Sequence, residues 1–417
     1  MKPRSAAIVI AIAALAYMSA VVQRSTMGVA SIDAAQRFNT NAEQLSMLAV
    51  AQLAVYAGMQ IPVGLLLDKY GPRITLAFGT AAMAIGQFVV AASTVLGTAI
   101  VGRILVGLGD AFIFISMIRL VNVWFKGKTA SQLQQWLGNG GQIGQVISAI
   151  PFAYLLHVSG WLSAFITAGS ASLLCTVLVW IFVHDSPGGD QSHNKKLKFG
   201  EALESLRLAI REPYTRMAFW SHFILQSTST MLLLLWGVPF LVQGEGLAKP
   251  VALGVLSSFF VIGFTCGLFY GFVFAHRPQW RRGLVITLIS AVLAVWLLLI
   301  LWPGQAPVWV IIVMAVPVGA AGPSSMIAFD YTRQFAPPHR MGTTNGFVNV
   351  GGFLASFTMI FLVGLVLDLY YYSAGRAAGE ELYSLDGFRL AMWVVPVMLV
   401  FGLIRYLVWE RRTFFSN

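Results

Sequence analysis

The sequence predicts an all-α membrane protein: twelve transmembrane helices in two six-helix bundles. Three observations point there. Of 417 residues, 58% are hydrophobic and only 10% charged, with a mean hydropathy of +0.76. That is too little polar surface for a water-soluble fold of this size. Apolar windows of about 20 residues, the length that crosses a hydrocarbon core of about 30 Å, recur along the whole chain. A single long polar stretch, 184–213, divides these windows six and six. The expected domains are a first bundle over 1–183, a cytoplasmic linker over 184–213 and a second bundle over 214–417.

The predicted crossings run near 6–30, 44–67, 73–94, 97–118, 132–156, 161–183, 216–242, 251–275, 283–302, 307–329, 344–367 and 390–409. The first is too long for a removed signal peptide and lacks a small-residue cleavage site, so it is read as a span. Within the linker, Phe199, Leu203, Leu206 and Ile210 follow helical spacing, with Glu201, Glu204, Arg207 and Arg211 elsewhere around the turn. That pattern predicts an amphipathic helix lying on the inner membrane face.

The net charge of +11 invites a polyanion partner, but its distribution argues for topology instead. With the N-terminus inside, 21 of the 27 Lys and Arg fall in cytoplasmic segments, including Lys2, Arg4, Arg119, Lys126, Lys128, the 195–216 stretch, Arg277, Arg281, Arg282 and Arg411. Arg37, Lys249, Arg376 and Arg389 lie outside, and Arg24 and Arg103 lie within spans. This is the positive-inside bias, placing both termini in the cytoplasm and giving no reason to expect nucleic acid. Cys175 and Cys266 each sit alone in an apolar span, where a thiol packs as a small apolar group. Gly127-Lys128-Thr129 imitates the end of a phosphate loop, yet Asn122 occupies the place of its first glycine. No cofactor, metal or ATP site is expected, and no nucleophile–base cluster argues for an enzyme.

Between the second and third windows stands Gly64-Leu-Leu-Leu-Asp68-Lys69-Tyr70-Gly71-Pro72-Arg73, a G-x-x-x-D-K-x-G-x-R pattern. A short loop between membrane-length helices needs a small residue where backbones close up and a glycine where the chain reverses. Asp68 follows one helix and is placed to face the positive N-terminus of the next. The pattern resembles the loop between helices two and three of the major facilitator superfamily of secondary transporters. The resemblance implies a conformational gate at Gly64, Asp68, Lys69, Gly71 and Arg73. The second half echoes the first weakly: Gly271-x-x-x-Ala275-His276-Arg277 keeps the glycine and a basic residue but loses the acid. Glycine-rich runs at 138–144 and 345–352 occupy matching spans, as expected where helices pack closely around a central site.

Arg103 and Asp110 both lie in the fourth span. A mid-bilayer charge costs about 2.5–3.5 kcal/mol even on insertion scales, so each must face a partner or water. Seven residues is nearly two turns, which puts both on one helix face roughly 10 Å apart, suited to line one cavity or to lock neighbouring helices. Arg24, in the outer part of the first span, either snorkels to headgroups or clamps a carboxylate or phosphate bidentately. Gln142, Gln226 and Asn345 are polar candidates for contacting a solute or another helix, and Tyr17 and Trp236 for shaping a cavity. His222 titrates near neutrality in its ordinary state.

Arg103-x-x-x-Gly107-x-Gly109 resembles the superfamily's fourth-helix motif, and Gly160-Trp161 with Phe165 is similar to the usual start of its sixth helix. Tyr56-x-x-x-Gln60-Ile61-Pro62-x-Gly64 resembles the anion:cation symporter branch, which includes bacterial sugar-acid and vertebrate vesicular organic-anion carriers. In that branch an arginine on helix one binds the substrate's anion, and an acid two turns beyond the helix-four arginine accepts the coupling proton. Arg24, Arg103 and Asp110 match those places.

The implied function is proton-coupled symport of a small organic anion or zwitterion by alternating access, with Arg24, Arg103, Tyr17, Gln142, Gln226 and Asn345 binding substrate and Asp110 carrying the proton. The implied setting is a bacterial inner membrane, with the chain working as a monomer among lipids. The alternative on the same fold is a proton-driven exporter of drugs or metabolites. The 138–144 run lacks the proline typical of many drug antiporters. A transport-deficient sensor is a weaker alternative, because no large soluble domain accompanies the spans.

Overall fold

A computed structural model describes residues 3–39, 42–187, 199–373 and 384–414. Lys195, Lys196, Lys198 and Arg376, used in the charge reading, lie outside them. Among the described residues every regular element is helical. The elements are α1 (Pro3–Val29), α2 (Ser31–Phe38), α3 (Ala42–Ala92), α4 (Leu96–Trp124), α5 (Gly127–Ile147), α6 (Ala153–Phe182), α7 (Phe199–Arg211), α8 (Pro213–Met231), α9 (Lys249–His276), α10 (Arg281–Leu301), α11 (Val308–Ser324), α12 (Ile327–Phe335), α13 (Met341–Ser373), α14 (Leu385–Met392) and α15 (Val394–Phe414).

Ten helical runs among the described residues are long and apolar enough to cross a bilayer. Two of them, Val50–Ala92 and Gly127–Phe182, are double length. Each breaks at a glycine with left-handed backbone: Gly71 at φ 78°, Gly160 at φ 74°. Only glycine adopts that conformation without strain, so each double run is two crossings and the total is twelve. The fold is the expected twelve-helix one. The amphipathic helix expected from Phe199 to Ile210 is α7.

Contacts group the chain into two compact units. Unit 1 is Met1–Ala209 with Ala336–Phe347; unit 2 is Ile210–Phe335 with Val348–Asn417. The first boundary falls inside α7, and the opening of α13 groups with unit 1.

In unit 1 the second crossing of α3 packs closely on α4. A Cβ on Gly79 would sit 2.8 Å from the Gly109 carbonyl oxygen, and one on Gly109 would meet the Gly79 carbonyl in return. Bare backbones touch there, and this fixes the register that brings Asp110 to its partner. Near one end, Met27, Leu48, Val90, Phe152, Trp161 and Phe165 form a buried cluster, and the Trp161 indole N–H donates to the Val90 carbonyl at 3.0 Å.

In unit 2 the first crossing departs from regular α-helix. Wide π turns at Leu232–Trp236 and Phe240–Gly244 flank Gly237–Pro239. A proline cannot donate to the ladder, and the wide turns absorb the defect. Trp236 donates to the Ile360 carbonyl at 2.9 Å, tying this segment to α13.

Candidate functional site

The site in unit 1 is built by α1, the first crossing of α3, and α4. Tyr17 and Arg24 are seven residues apart on α1, as are Arg103 and Asp110 on α4, so each helix presents one face carrying two polar groups. Arg24 reaches across to Asp110 with a bidentate pair: Nε to Oδ2 at 2.7 Å and an Nη to Oδ1 at 2.9 Å. The fork geometry matches a carboxylate, which makes this a strong and directional bond. Burial is unequal. The Asp110 side chain is 1% exposed and the Arg24 side chain 23%, so the carboxylate is sealed while the guanidinium keeps an open edge. The Tyr56 ring supports that guanidinium from 4.9 Å.

Arg103 does something different. It is 1% exposed and donates to the backbone carbonyls of Gln23, at 3.2 Å, and Arg24, at 3.1 Å, as well as to Thr26 Oγ1 and Gln52 Oε1. It holds α1 at the turn from which Arg24 projects. Of the two arginines expected to clamp an anion, therefore, Arg24 alone keeps an exposed edge; Arg103 is engaged with helix backbone. Arg103 and Asp110 share a face as expected, but the acid's ion-pair partner comes from α1.

Further contacts fix α1 on both flanks. Gln23 donates to Ser19 and Ser172, Gln87 donates to Thr26, and Ser25 donates to Gln145 Oε1 at 2.8 Å. Tyr17 packs on Phe114 with centroids 5.4 Å apart. A Cβ on Gly141 would lie 3.1 Å from the Tyr17 hydroxyl. Gln142, one residue on, is half-buried, and its side-chain oxygen makes no hydrogen bond.

The motif loop also lies in unit 1. Asp68 accepts from the Gly342 N–H at 2.9 Å, from the Thr343 N–H at 2.8 Å and from the Thr343 hydroxyl at 2.8 Å. The expectation that Asp68 faces the next helix is corrected. It caps the N-terminus of α13, where unpaired N–H groups and the helix dipole favour an anion. The helix that follows Gly71 is capped instead by Asp185, which accepts from the Arg73 N–H at 2.8 Å. A Cβ on Gly71 would sit 2.7 Å from that carboxylate. At Gly64 the constraint is close approach, with the Gly342 carbonyl oxygen 2.6 Å from where a Cβ would stand. Arg73 donates to the Trp180 carbonyl at 2.8 Å and stacks on its ring. Lys69 lies over the Tyr70 ring at 4.6 Å.

In unit 2 the polar groups within the spans are neutral. His222 is buried, 3.4 Å from the Ser325 carbonyl oxygen. A Cβ on Gly352 would meet its Nε2 at 2.8 Å and the Gln226 amide carbon at 3.2 Å, so His222 and Gln226 converge on α13. Asn345, expected to share a site with Gln226, is fully buried in the segment that groups with unit 1. Sequence reasoning missed Gln52 and Thr26 as partners of Arg103. Their one signal was a polar side chain inside an apolar window.

The sequence pattern of the Major Facilitator Superfamily matches residues 11–359. The chain is 25% identical over 340 residues to the probable galactarate/D-glucarate transporter GudP of Bacillus subtilis (strain 168), covering 74% of each protein. It is 25% identical over 228 residues to the nitrate/nitrite transporter NrtP of Picosynechococcus sp., covering 48% of this chain and only 41% of that protein's length. The solved structure of the proton:xylose symporter XylE, bound to 6-bromo-6-deoxy-D-glucose, covers 99% of this chain and 97% of its own, with a TM-score of 0.73 at 13% identity. At that identity the likeness shows the fold. With the family pattern running across most of the chain and the twelve-helix architecture beneath it, this integral membrane protein belongs to the Major Facilitator Superfamily.

Proposed function

We propose that the chain is a secondary active transporter that moves a small organic anion together with a proton, and that the Arg24–Asp110 pair is where the two meet. One observation carries the reading: a sealed carboxylate bound bidentately to an arginine whose other edge is open. Arg24 can serve Asp110 or an arriving carboxylate, and full engagement with both at once is disfavoured. When Asp110 takes a proton it no longer needs the guanidinium, and the freed fork matches the substrate's carboxylate. When the substrate leaves, Arg24 returns to Asp110 and favours loss of the proton. Proton and anion thus enter and leave the site together. The scheme requires the pair to open during turnover.

Arg103 acts here as a positioning residue, holding the α1 turn that aims Arg24. Asp68 at the start of α13 is the proposed gate. The names of GudP, for galactarate and D-glucarate, and of NrtP, for nitrate, support an anionic substrate, and a dicarboxylate sugar acid is the first class to test. The proposed setting is a bacterial inner membrane with both termini in the cytoplasm and the chain acting as a monomer.

The test is uptake of labelled galactarate, D-glucarate and nitrate into proteoliposomes with an acid-outside pH gradient. We expect concentrative uptake of one of them by the parent protein. Asp110→Asn should abolish gradient-driven accumulation while leaving solute counterflow. Undiminished accumulation by Asp110→Asn sinks the proton role, and movement solely against the proton flux reassigns the protein as an exporter.

A further inference from the structure

We propose that unit 2 carries a binding site for the phosphate head of an anionic phospholipid, formed by Arg216, Arg405 and Arg412 around Trp409. Arg216 stands in the first turn of α8. Arg405 and Arg412 are seven residues apart on α15, and so share one helix face. Their guanidinium carbons lie 4.4 Å (Arg216), 6.0 Å (Arg405) and 4.7 Å (Arg412) from the centre of the Trp409 ring, and that of Arg405 lies 5.7 Å from the Trp220 ring. Three cations on one indole repel each other, and ring stacking offsets only part of that. The neighbouring acid does not neutralise them, because Glu410 is turned away to Arg282 at 2.8 Å. Among the described residues neither Arg216 nor Arg405 makes an ion pair. Arg216 spends its Nε on the Ile210 carbonyl at 2.7 Å. The Trp409 indole N–H is buried and makes no hydrogen bond, so the centre of the cluster also lacks an acceptor.

An acceptor with several oxygens and a negative charge answers both deficits, and phosphate has that chemistry. The surface beside the cluster identifies the source. Phe401, Ile404 and Val408 are exposed on the same helix at helical spacing, and Phe401 packs edge-on against Trp220 with centroids 5.4 Å apart. An apolar stripe running into two indoles and then three arginines matches an acyl chain, a headgroup interface and a phosphate in order. Free phosphate would use the arginines but not the stripe. The inference holds whatever solute the chain carries.

Native mass spectrometry of the full chain, released from nanodiscs of equal phosphatidylglycerol and phosphatidylcholine, tests it. Each basic residue near an anionic headgroup contributes about fivefold to retention. The parent protein should therefore retain phosphatidylglycerol over phosphatidylcholine by at least about tenfold. The triple variant Arg216→Gln/Arg405→Gln/Arg412→Gln should lose the preference. Should it fail to fold, Arg412→Gln alone, on the exposed last turn, should lower retention by about fivefold. Equal retention of both lipids by the parent, or unchanged preference in the variants, overturns the proposal. So does thermal protection of the parent by inorganic phosphate equal to that given by phosphatidylglycerol, since that outcome means a free-anion site.

Discussion

The two units keep their buried charges in different places along their helices. In unit 1, Asp110 sits midway along α4, and its partner Arg24 reaches in from α1. In unit 2 the ion pairs stand where helices begin or end. Arg281 opens α10 and pairs with Asp330, which also holds Arg333 in the last turn of α12, while Arg282 reaches Glu410 near the end of α15. A charge at a span end has headgroups and water within reach and can stay in place as a fastener. A charge at mid-span is far costlier to strand, and so any step that separates the pair must neutralise one partner or replace it. The contrast marks unit 1 as the half that carries ion chemistry and unit 2 as the half whose in-span polarity, at His222 and Gln226, is neutral.

The largest expected effect tests that contrast directly. Asp110→Asn should lower pH-gradient-driven accumulation by at least about 100-fold in proteoliposomes, because a neutral amide cannot exchange a proton. Next, Arg24→Ala strands a sealed carboxylate. Breaking a buried pair from one side costs about 3–5 kcal/mol, so the thermal midpoint should fall sharply. The fall should be larger at alkaline pH, where Asp110 must stay charged, than at acid pH, where a proton relieves it. Adding Asp110→Asn should restore the midpoint and remove the pH dependence. A smaller effect belongs to Arg103→Lys: an ammonium cannot span the Gln23, Arg24, Thr26 and Gln52 acceptors, and stability should drop by about 1–3 kcal/mol. Solute affinity should weaken in step, as α1 loses its hold on the Arg24 turn. Smallest of all is Glu410→Gln in unit 2. Its partner Arg282 is 55% exposed, so the loss should be below about 1 kcal/mol, with the ratio of protons to solute unchanged. A changed ratio would place ion chemistry in both halves and break the comparison.

Much of this was legible in the sequence, for physical reasons that also set the limits. Hydrocarbon thickness fixes span length, so twelve windows could be read, and Gly71 and Gly160 stood between windows as the breaks that the structure confirms. Helical spacing along one chain segment told that Arg103 and Asp110 share a face. It could not tell which helix lies opposite, so the Arg24 partner of Asp110 and the Gln52 partner of Arg103 emerged only with the fold. The same limit applies to Asp68 and Asp185. A carboxylate seeks a helix N-terminus, and sequence proximity pointed Asp68 to the next helix. The structure puts Asp68 on α13, 274 positions away at Gly342, and gives the nearer N-terminus to Asp185. Close backbone approach between Gly64 and Gly342 is what brings that distant helix end within reach.

The paired π turns in unit 2 have a consequence of their own. Each wide turn holds one residue more than an ordinary turn, and every residue of a helix adds about 100° of rotation. Deleting a single residue between Leu232 and Gly244 would tighten one bulge and swing everything beyond it by about a quarter-turn. Phe240 and Leu241, both buried now, would be re-aimed while the number of membrane crossings stayed the same. In this segment, chain length by itself is a dial that sets which side chains look inward.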